Sequence, residues 1–284
     1  MLISEALNSA AIQIARISKD NPRQQAQWLL QSVLPADAAA IFADRRRQLT
    51  PDQMARLQLF IRRRLQNEPL QYILGAAEFR RIRLKVDRRA LIPRPETEGL
   101  VEIGLELIRK IPDPTILDVG VGCGAIALSL LDEHPGAGGL ACDVSQEALD
   151  LAAENARALN LDNRLAWKMA DLFDPGFAAV IDQRFALVAS NPPYVSENEY
   201  RELPAEIRDY EPAVALLAGK DGLDAIHRLA QIGQELLEDG GHLICEIGER
   251  QKAAALQIFD ELGWDAEVRN DLNGKPRYLV AAAR

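Results

Sequence analysis

No stretch of the 284 residues reaches the roughly 18 consecutive apolar positions that a membrane-spanning helix requires. The N-terminus, MLISEALNSAAIQIARISKD, lacks the basic lead, apolar centre and cleavage site of a secretory signal, so a cytoplasmic protein without a membrane anchor is expected. Cysteine is scarce. Cys123, Cys142 and Cys245 are odd in number, far apart and embedded in apolar or glycine-rich segments, which predicts buried reduced thiols and no disulfide framework. Histidine is as rare, and His134, His227 and His242 show no paired spacing, so no metal site is expected. Internal repeats and low-complexity tracts are also absent.

What is present is an ordinary globular composition, 48% hydrophobic, in a chain long for one domain and short for three. Two unequal domains with a real core are expected. The net charge of −9 is unevenly spread. Residues 1–92 carry 16 Lys and Arg against 8 Asp and Glu, a balance of +8, and the remainder balances at −17. The basic segment is either a solvated helical surface or a face that meets an acidic or nucleic-acid-bearing partner, and charge alone does not choose between them.

Residues 1–70 show helical periodicity, with breaks at DNP (20–22), LPAD (34–37) and LTPD (49–52) where proline opens a helix, and arginine runs at 45–47 and 62–64. This predicts a small bundle of about four helices. Residues 71–92 change pattern: Phe79, Ile82, Leu84 and Val86 alternate with basic residues, which predicts a β-hairpin connector. From residue 93 to the C-terminus, helical stretches alternate with the strand-type runs TILDV (115–119), GLACDV (139–144), LAWKMA (165–170), FALVAS (185–190), HLICEI (242–247) and RYLVAA (277–282). Alternation of that kind predicts an α/β domain, a mainly parallel sheet covered on both faces by helices.

The segment TILDVGVGCGAIALSLL predicts a buried strand, a turn through Gly120, Gly122 and Gly124, and a helix whose N-terminus a ligand can approach because no Cβ intervenes. Asp143 ends the next strand, where a carboxylate accepts hydrogen bonds from both hydroxyls of a ribose. Together they make a nucleoside half-site. Because Gly120, Gly122 and Ala125 also fit the dinucleotide fingerprint, this loop alone leaves a nicotinamide and an S-adenosylmethionine enzyme both open. Asp171 and Leu172 follow the third strand and are candidates to flank the adenine; Asp171 reads equally as a capping residue.

SNPPY (190–194) stands at the C-terminal edge of a strand, the side on which open α/β sheets bind ligands. A turn alone is one reading, since Asn-Pro commonly initiates turns. The other rests on what prolines remove: Pro192 and Pro193 bring no N–H donors, so carbonyls and the Asn191 amide oxygen make an acceptor-only pocket, with Tyr194 as an aromatic floor. Such a pocket suits a planar –NH2 group held by Asn191 and Pro192. Methyl transfer to that nitrogen from a neighbouring donor is a matter of positioning, with no strong general base required.

With LDVGVGCGAIAL, DVSQEALDLAAENA and SNPPYV in this order, the chain resembles the amino-directed class I S-adenosylmethionine methyltransferases. PLQYILGAAEF, LIPRPETEGLVE, RDYEPAVALLAGKDGL and GGHLICEIGERQ make it similar to the HemK-type release-factor glutamine methyltransferases from about residue 69 onward; the helical region matches in size and character only. The resemblance implies a Rossmann-like domain over residues 93–284; residues 1–70 are read as a substrate-docking domain, because one glutamine offers a small pocket little to distinguish and distant contacts must supply specificity. It implies S-adenosylmethionine as cofactor, held by Gly120, Val121, Gly122, Cys123, Gly124, Asp143, Asp171, Leu172 and Asn191. It further implies the glutamine of the Gly-Gly-Gln tripeptide in class-1 peptide-chain release factors as acceptor, bound by Asn191, Pro192, Pro193 and Tyr194, with Arg94 close to the active site. Arg94 has a plainer reading as an ion pair, and Pro95 and Thr97 as the start of a helix. Val121 stands where the family usually has Thr, and Leu172 where some members have Trp.

A monomer acting on a protein, with no nucleic acid and no membrane, is the expectation. Three alternatives remain: an amino methyltransferase acting on nucleic acid, one acting on a ribosomal-protein glutamine, and a nucleoside-binding adaptor without catalysis. DYEP (209–212) and NDLNGKPR (270–277) receive no chemistry.

Overall fold

The computed structural model describes residues 1–34 and 46–283. Most of the expected LPAD break and Arg45 lie outside the described residues. The chain divides into two compact units, Met1–Gly75 with Ala205–Tyr210, and Ala76–Pro204 with Glu211–Arg284.

The first unit contains α1 (Ile3–Ile14), α2 (Pro22–Val33), α3 (Pro51–Leu65) and a short α4 (Leu70–Leu74). Pro22 and Pro51 occupy the first helical turn, where the missing N–H costs nothing. Before α3 the Thr50 hydroxyl accepts from the Gln53 amide and the Gln53 side chain accepts from the Thr50 N–H, a reciprocal cap that fixes where the helix begins. Leu7, Ile14, Leu29, Leu30, Leu57 and Ile61 fill the space between the helices. Arg64 is buried among them and kept there by its partners: Nε donates to Gln25 Oε1, Nη1 to the Glu68 carbonyl, and Nη2 to Glu206 Oε2 at 2.9 Å. Glu206 belongs to the returning segment 205–210, whose Tyr210 hydroxyl donates to the Gln66 carbonyl.

The second unit opens with the hairpin β1 (Ala76–Phe79) and β2 (Ile82–Lys85), antiparallel as the alternation predicts. Its main sheet has the order β5-β4-β3-β6-β7-β9-β8. Here β3 is Thr115–Val119, β4 Gly138–Asp143, β5 Leu165–Met169, β6 Phe185–Ser190, β7 Leu237–Glu246, β8 Trp264–Asn270 and β9 Pro276–Ala283. The first five of these run parallel, and β9 pairs antiparallel with both β7 and β8. Strand order reverses between β3 and β6, where Val119 lies opposite Ser190. At such a switch point the loops leaving two strands splay apart and open a crevice.

Every residue of β6 is buried, as its unbroken apolar run requires. The sequence reading missed β8: Trp264, Asp265, Ala266, Glu267 and Val268 carry the alternation of an edge strand, with only Trp264 deeply buried. Its indole donates to the Ala230 carbonyl. All three cysteines are free and buried, as expected, and burial raises their thiols.

The hairpin is built into this second unit. Asn155, on α7 (Gln146–Ala158), accepts from the Lys85 N–H and donates to the carbonyls of Lys85 and Cys123, so one amide joins hairpin, helix and glycine turn. Residues 76–92 hold six of the 16 cations counted over residues 1–92. Several are spent locally: Arg80 on Glu133 and Glu102, Lys85 on Glu154, Arg89 on Asp87 and Glu154. The basic character read over residues 1–92 is therefore in part internal ion pairing, and less of it belongs to the helical unit.

Candidate functional site

The crevice at the β3/β6 switch is a cavity of about 260 Å³ within the second unit. The glycine turn forms one side. Gly120, Gly122 and Gly124 all have positive φ, +76°, +55° and +91°, a region that other residues enter only with strain. A Cβ on Gly120 would meet no protein atom within 4 Å, so openness toward the cavity and backbone conformation, not packing, call for glycine there. At Gly124 a Cβ would stand 2.7 Å from Leu128, so helix packing excludes a side chain too. From Gly124 the chain enters α6 (Ala125–Glu133), whose N-terminus faces the turn.

Asp143 accepts the Gly122 N–H at 3.0 Å on Oδ2 and the Ser145 N–H at 2.9 Å on Oδ1. Each carboxylate oxygen keeps a lone pair for a further donor, which fits the ribose role. Burial raises this carboxyl, and the backbone N–H groups act against the rise. Asp118, one strand position before Val119, is buried deeper. Its Oδ2 accepts from the Ala127 N–H at the start of α6, while its Oδ1 has no partner among the described residues, and burial pushes its pKa up to about 7.

Val121, Cys123, Asp171, Leu172, Asn191, Pro192 and Pro193 line the cavity beside Gly120, Gly122 and Asp143. Asp171 also accepts from the Phe173 N–H and so closes its own turn; it lines the cavity but caps no helix among the described residues. Leu172 and the half-exposed Phe173 and Val144 add apolar wall, suited to the face of a base. The residues present thus fit S-adenosylmethionine: a turn opened by glycines, a carboxylate with lone pairs free for hydroxyl donors, and an apolar slot.

Three expected residues stand elsewhere. Gly124 lies behind the turn. Arg94 is outside the cavity lining and pairs at 2.6 Å with Glu211, which is buried and also accepts from the Ile92 N–H. Glu211 therefore gives DYEP a structural role, holding the LIPRPETE segment in place. Tyr194 is likewise not in the lining; its hydroxyl donates to Glu246 Oε1 at 3.0 Å and its carbonyl accepts from Gln251. Burial, with the Glu246 carboxylate beside it, raises the Tyr194 phenol, which therefore stays protonated and donates.

Two residues given no chemical role by the sequence reading, Thr97 and Glu246, are hydrogen-bonded to Asn191 and Tyr194. Thr97, which lines the cavity at the start of α5 (Thr97–Ile108), donates to Glu246 Oε2 at 2.7 Å and accepts from Asn191 Nδ2 at 3.2 Å. Tyr278 on β9 donates to the Glu96 carbonyl, and Gly99 leaves room for its ring to approach α5. A signal for Glu246 existed in the sequence: a carboxylate inside the apolar run LICEI must have partners if that run is a buried strand.

Residues 5–75 match the family model for the PrmC N-terminal domain, and residues 102–207 that for the methyltransferase small domain. A release factor glutamine methyltransferase from Deinococcus radiodurans is 36% identical over 281 residues, covering 99% of this chain and 98% of that protein. One from Cereibacter sphaeroides is 37% identical, again covering 99% and 98%. Among solved structures, the catalytic domain of hMettl16 in complex with the MAT2A 3′UTR hairpin 6 matches 71% of this chain and 75% of its own. It does so at 16% identity with a TM-score of 0.57, a likeness of fold. The glycine turn, Asp143 and residues Asn191 to Pro193 meet at one switch point in a chain whose relatives match it end to end, and the chain belongs to the release factor glutamine methyltransferase family.

Proposed function

We propose that Asn191 Oδ1 and the Pro192 carbonyl take the two hydrogens of the acceptor amide, the side chain of the glutamine in the Gly-Gly-Gln tripeptide of class-1 release factors. The reaction of the family is methylation of a release factor glutamine, and this chain is an S-adenosylmethionine-dependent methyltransferase. The observation that carries the residue assignment is the Asn191 amide. Its –NH2 is engaged by Thr97, and among the described residues nothing donates to its oxygen, which leaves an acceptor at the cavity.

S-adenosylmethionine supplies an electrophilic sulfonium methyl group. The protein supplies position. Gly120 to Cys123 and Asp143 fix the donor side, and Asn191 with Pro192 fix the plane and direction of an amide nitrogen whose lone pair is delocalised into its carbonyl. Orientation of two reactants in this way contributes up to about 7–11 kcal/mol. The nitrogen, transiently cationic once methylated, is acidic enough to give one of its two protons to solvent water, so no His dyad is needed.

The helical unit is assigned to docking the protein substrate, since one glutamine offers a small pocket little to distinguish and remote contacts must supply specificity. The reading includes a cytoplasmic monomer that engages neither nucleic acid nor membrane; among the described residues no helix is long and apolar enough to cross a membrane. The test is mass analysis of a release factor before and after treatment with donor. One methyl group on the Gly-Gly-Gln peptide is expected, and an unmodified peptide with donor bound, or methyl on RNA instead, overturns the assignment. Asn191→Ala should abolish transfer.

A further inference from the structure

We propose that Thr97 and Glu246 are positioning residues that decide which end of the Asn191 amide faces the acceptor, so that the pocket presents an oxygen and not an –NH2 group. The inference rests on the assignment of Asn191 as the acceptor-binding residue and is tested separately from it.

The direction of the chain of hydrogen bonds follows from proton count. Glu246, the last residue of β7, is buried, and its two oxygens face two hydroxyls, Thr97 at 2.7 Å and Tyr194 at 3.0 Å. An ionised carboxylate only accepts, so both hydroxyls donate to it. Thr97 has one proton, and that proton is committed. What Thr97 Oγ1 offers Asn191 at 3.2 Å is a lone pair, which only the –NH2 end of the amide satisfies. The amide is planar, so Oδ1 is turned to the other side. Reversing the chain would require Thr97 to donate to Asn191 and leave Glu246 Oε2 facing an oxygen lone pair in a buried place, which is strongly unfavourable.

A carboxylate between Cys245 and Ile247 in a central strand is costly to bury. The groups that face it are Thr97, Tyr194, Tyr278, Arg277, Glu96 and the adjacent Cys245. Burial raises its pKa, opposed by the two hydroxyl bonds and Arg277. Protonation would turn one oxygen into a donor, release the Thr97 proton from its commitment and let the Asn191 amide turn over. The rate of methyl transfer should therefore fall on the acid side of its profile, while donor binding, assigned mainly to the glycine turn and Asp143, should change little.

The experiment uses the full-length protein with a release factor carrying Gly-Gly-Gln and measures kcat, KM and donor affinity by calorimetry for Thr97→Val, Thr97→Ser, Glu246→Gln and Asn191→Ala. Thr97→Val keeps the shape and removes the hydroxyl; Glu246→Gln replaces one acceptor by a donor. Each should lower kcat by roughly 10- to 100-fold, the span of a lost hydrogen bond to a charged group, with donor affinity within about 3-fold. Thr97→Ser should recover most of the rate lost in Thr97→Val, and Glu246→Gln should lose the acid limb of the kcat profile. Wild-type kcat in Thr97→Val, or Thr97→Ser as impaired as Thr97→Val, overturns the positioning role even where Asn191→Ala is inactive. Full activity in Asn191→Ala overturns the acceptor assignment itself.

Discussion

At the scale of single residues, Gly120 and Asp143 show how the same cavity selects for opposite chemistry, one position by having no side chain and the other by having a charged one. Gly120→Val would force a branched residue to φ near +76° and push methyl groups into the cavity. A rise of donor Kd by at least about 10-fold is expected, from strain of about 1–2 kcal/mol and lost space, measured by calorimetry. Asp143→Ala removes the carboxylate proposed to accept from the ribose and also strips the Gly122 and Ser145 N–H groups of their partner. A loss of roughly 10- to 100-fold in donor affinity is expected, in the range for hydrogen bonds to a charged group.

Asp118 sets a pH dependence of stability. Its native pKa of about 7 stands above an unfolded value near 3.9, so between those values the folded chain holds a proton that the unfolded chain has lost. Stability from this group is complete below about pH 4 and falls as pH rises to about 7, by at most about 4 kcal/mol. Urea denaturation at pH 5 and pH 8 should show the decline, and Asp118→Asn should flatten it. The glycine turn and NPPY were legible in the sequence because their residue types are unusual for what they replace. Glu246 left only the trace of a carboxylate inside an apolar run, and Thr97 left none, because its meaning lies in a contact 149 positions away and alone it looks like a helix start.

At the scale of elements, the central strands were legible for a physical reason: β3 and β6 are covered on both faces and so are written as continuous apolar runs. An edge strand escapes that rule. WDAEVRN needs only one good face, and its charges break the apolar run by which a buried strand is recognised. The hairpin was legible from its alternation, but its destination was not, since Asn155 looks like any polar residue on α7. Asn155→Leu should leave the Lys85 N–H and the carbonyls of Lys85 and Cys123 without partners and destabilise the protein by about 2–4 kcal/mol. The urea midpoint should fall, and because Cys123 belongs to the glycine turn, donor affinity should fall with it.

At the scale of the whole molecule, the docking assignment makes a prediction about charge. Arg56 and Arg62 lie exposed on α3. Reversing both to Glu should raise KM for an intact release factor several-fold and leave KM for a short Gly-Gly-Gln peptide unchanged, and added salt should shrink the difference by screening. Equal effects on both substrates would count against docking through this face. The two-unit division was legible as a change of period near residue 70, but the membership of residues 205–210 was not, since nothing local in PAEIRDY distinguishes it from any loop.

That membership has a consequence for synthesis on the ribosome. Arg64 leaves the tunnel long before Glu206, its carboxylate partner. At about 5–20 residues per second the interval of some 140 residues lasts roughly 7–28 s. For that time the nascent bundle carries an unneutralised guanidinium where the finished protein has a closed ion pair, and most of the catalytic sheet emerges while the bundle waits for its last piece.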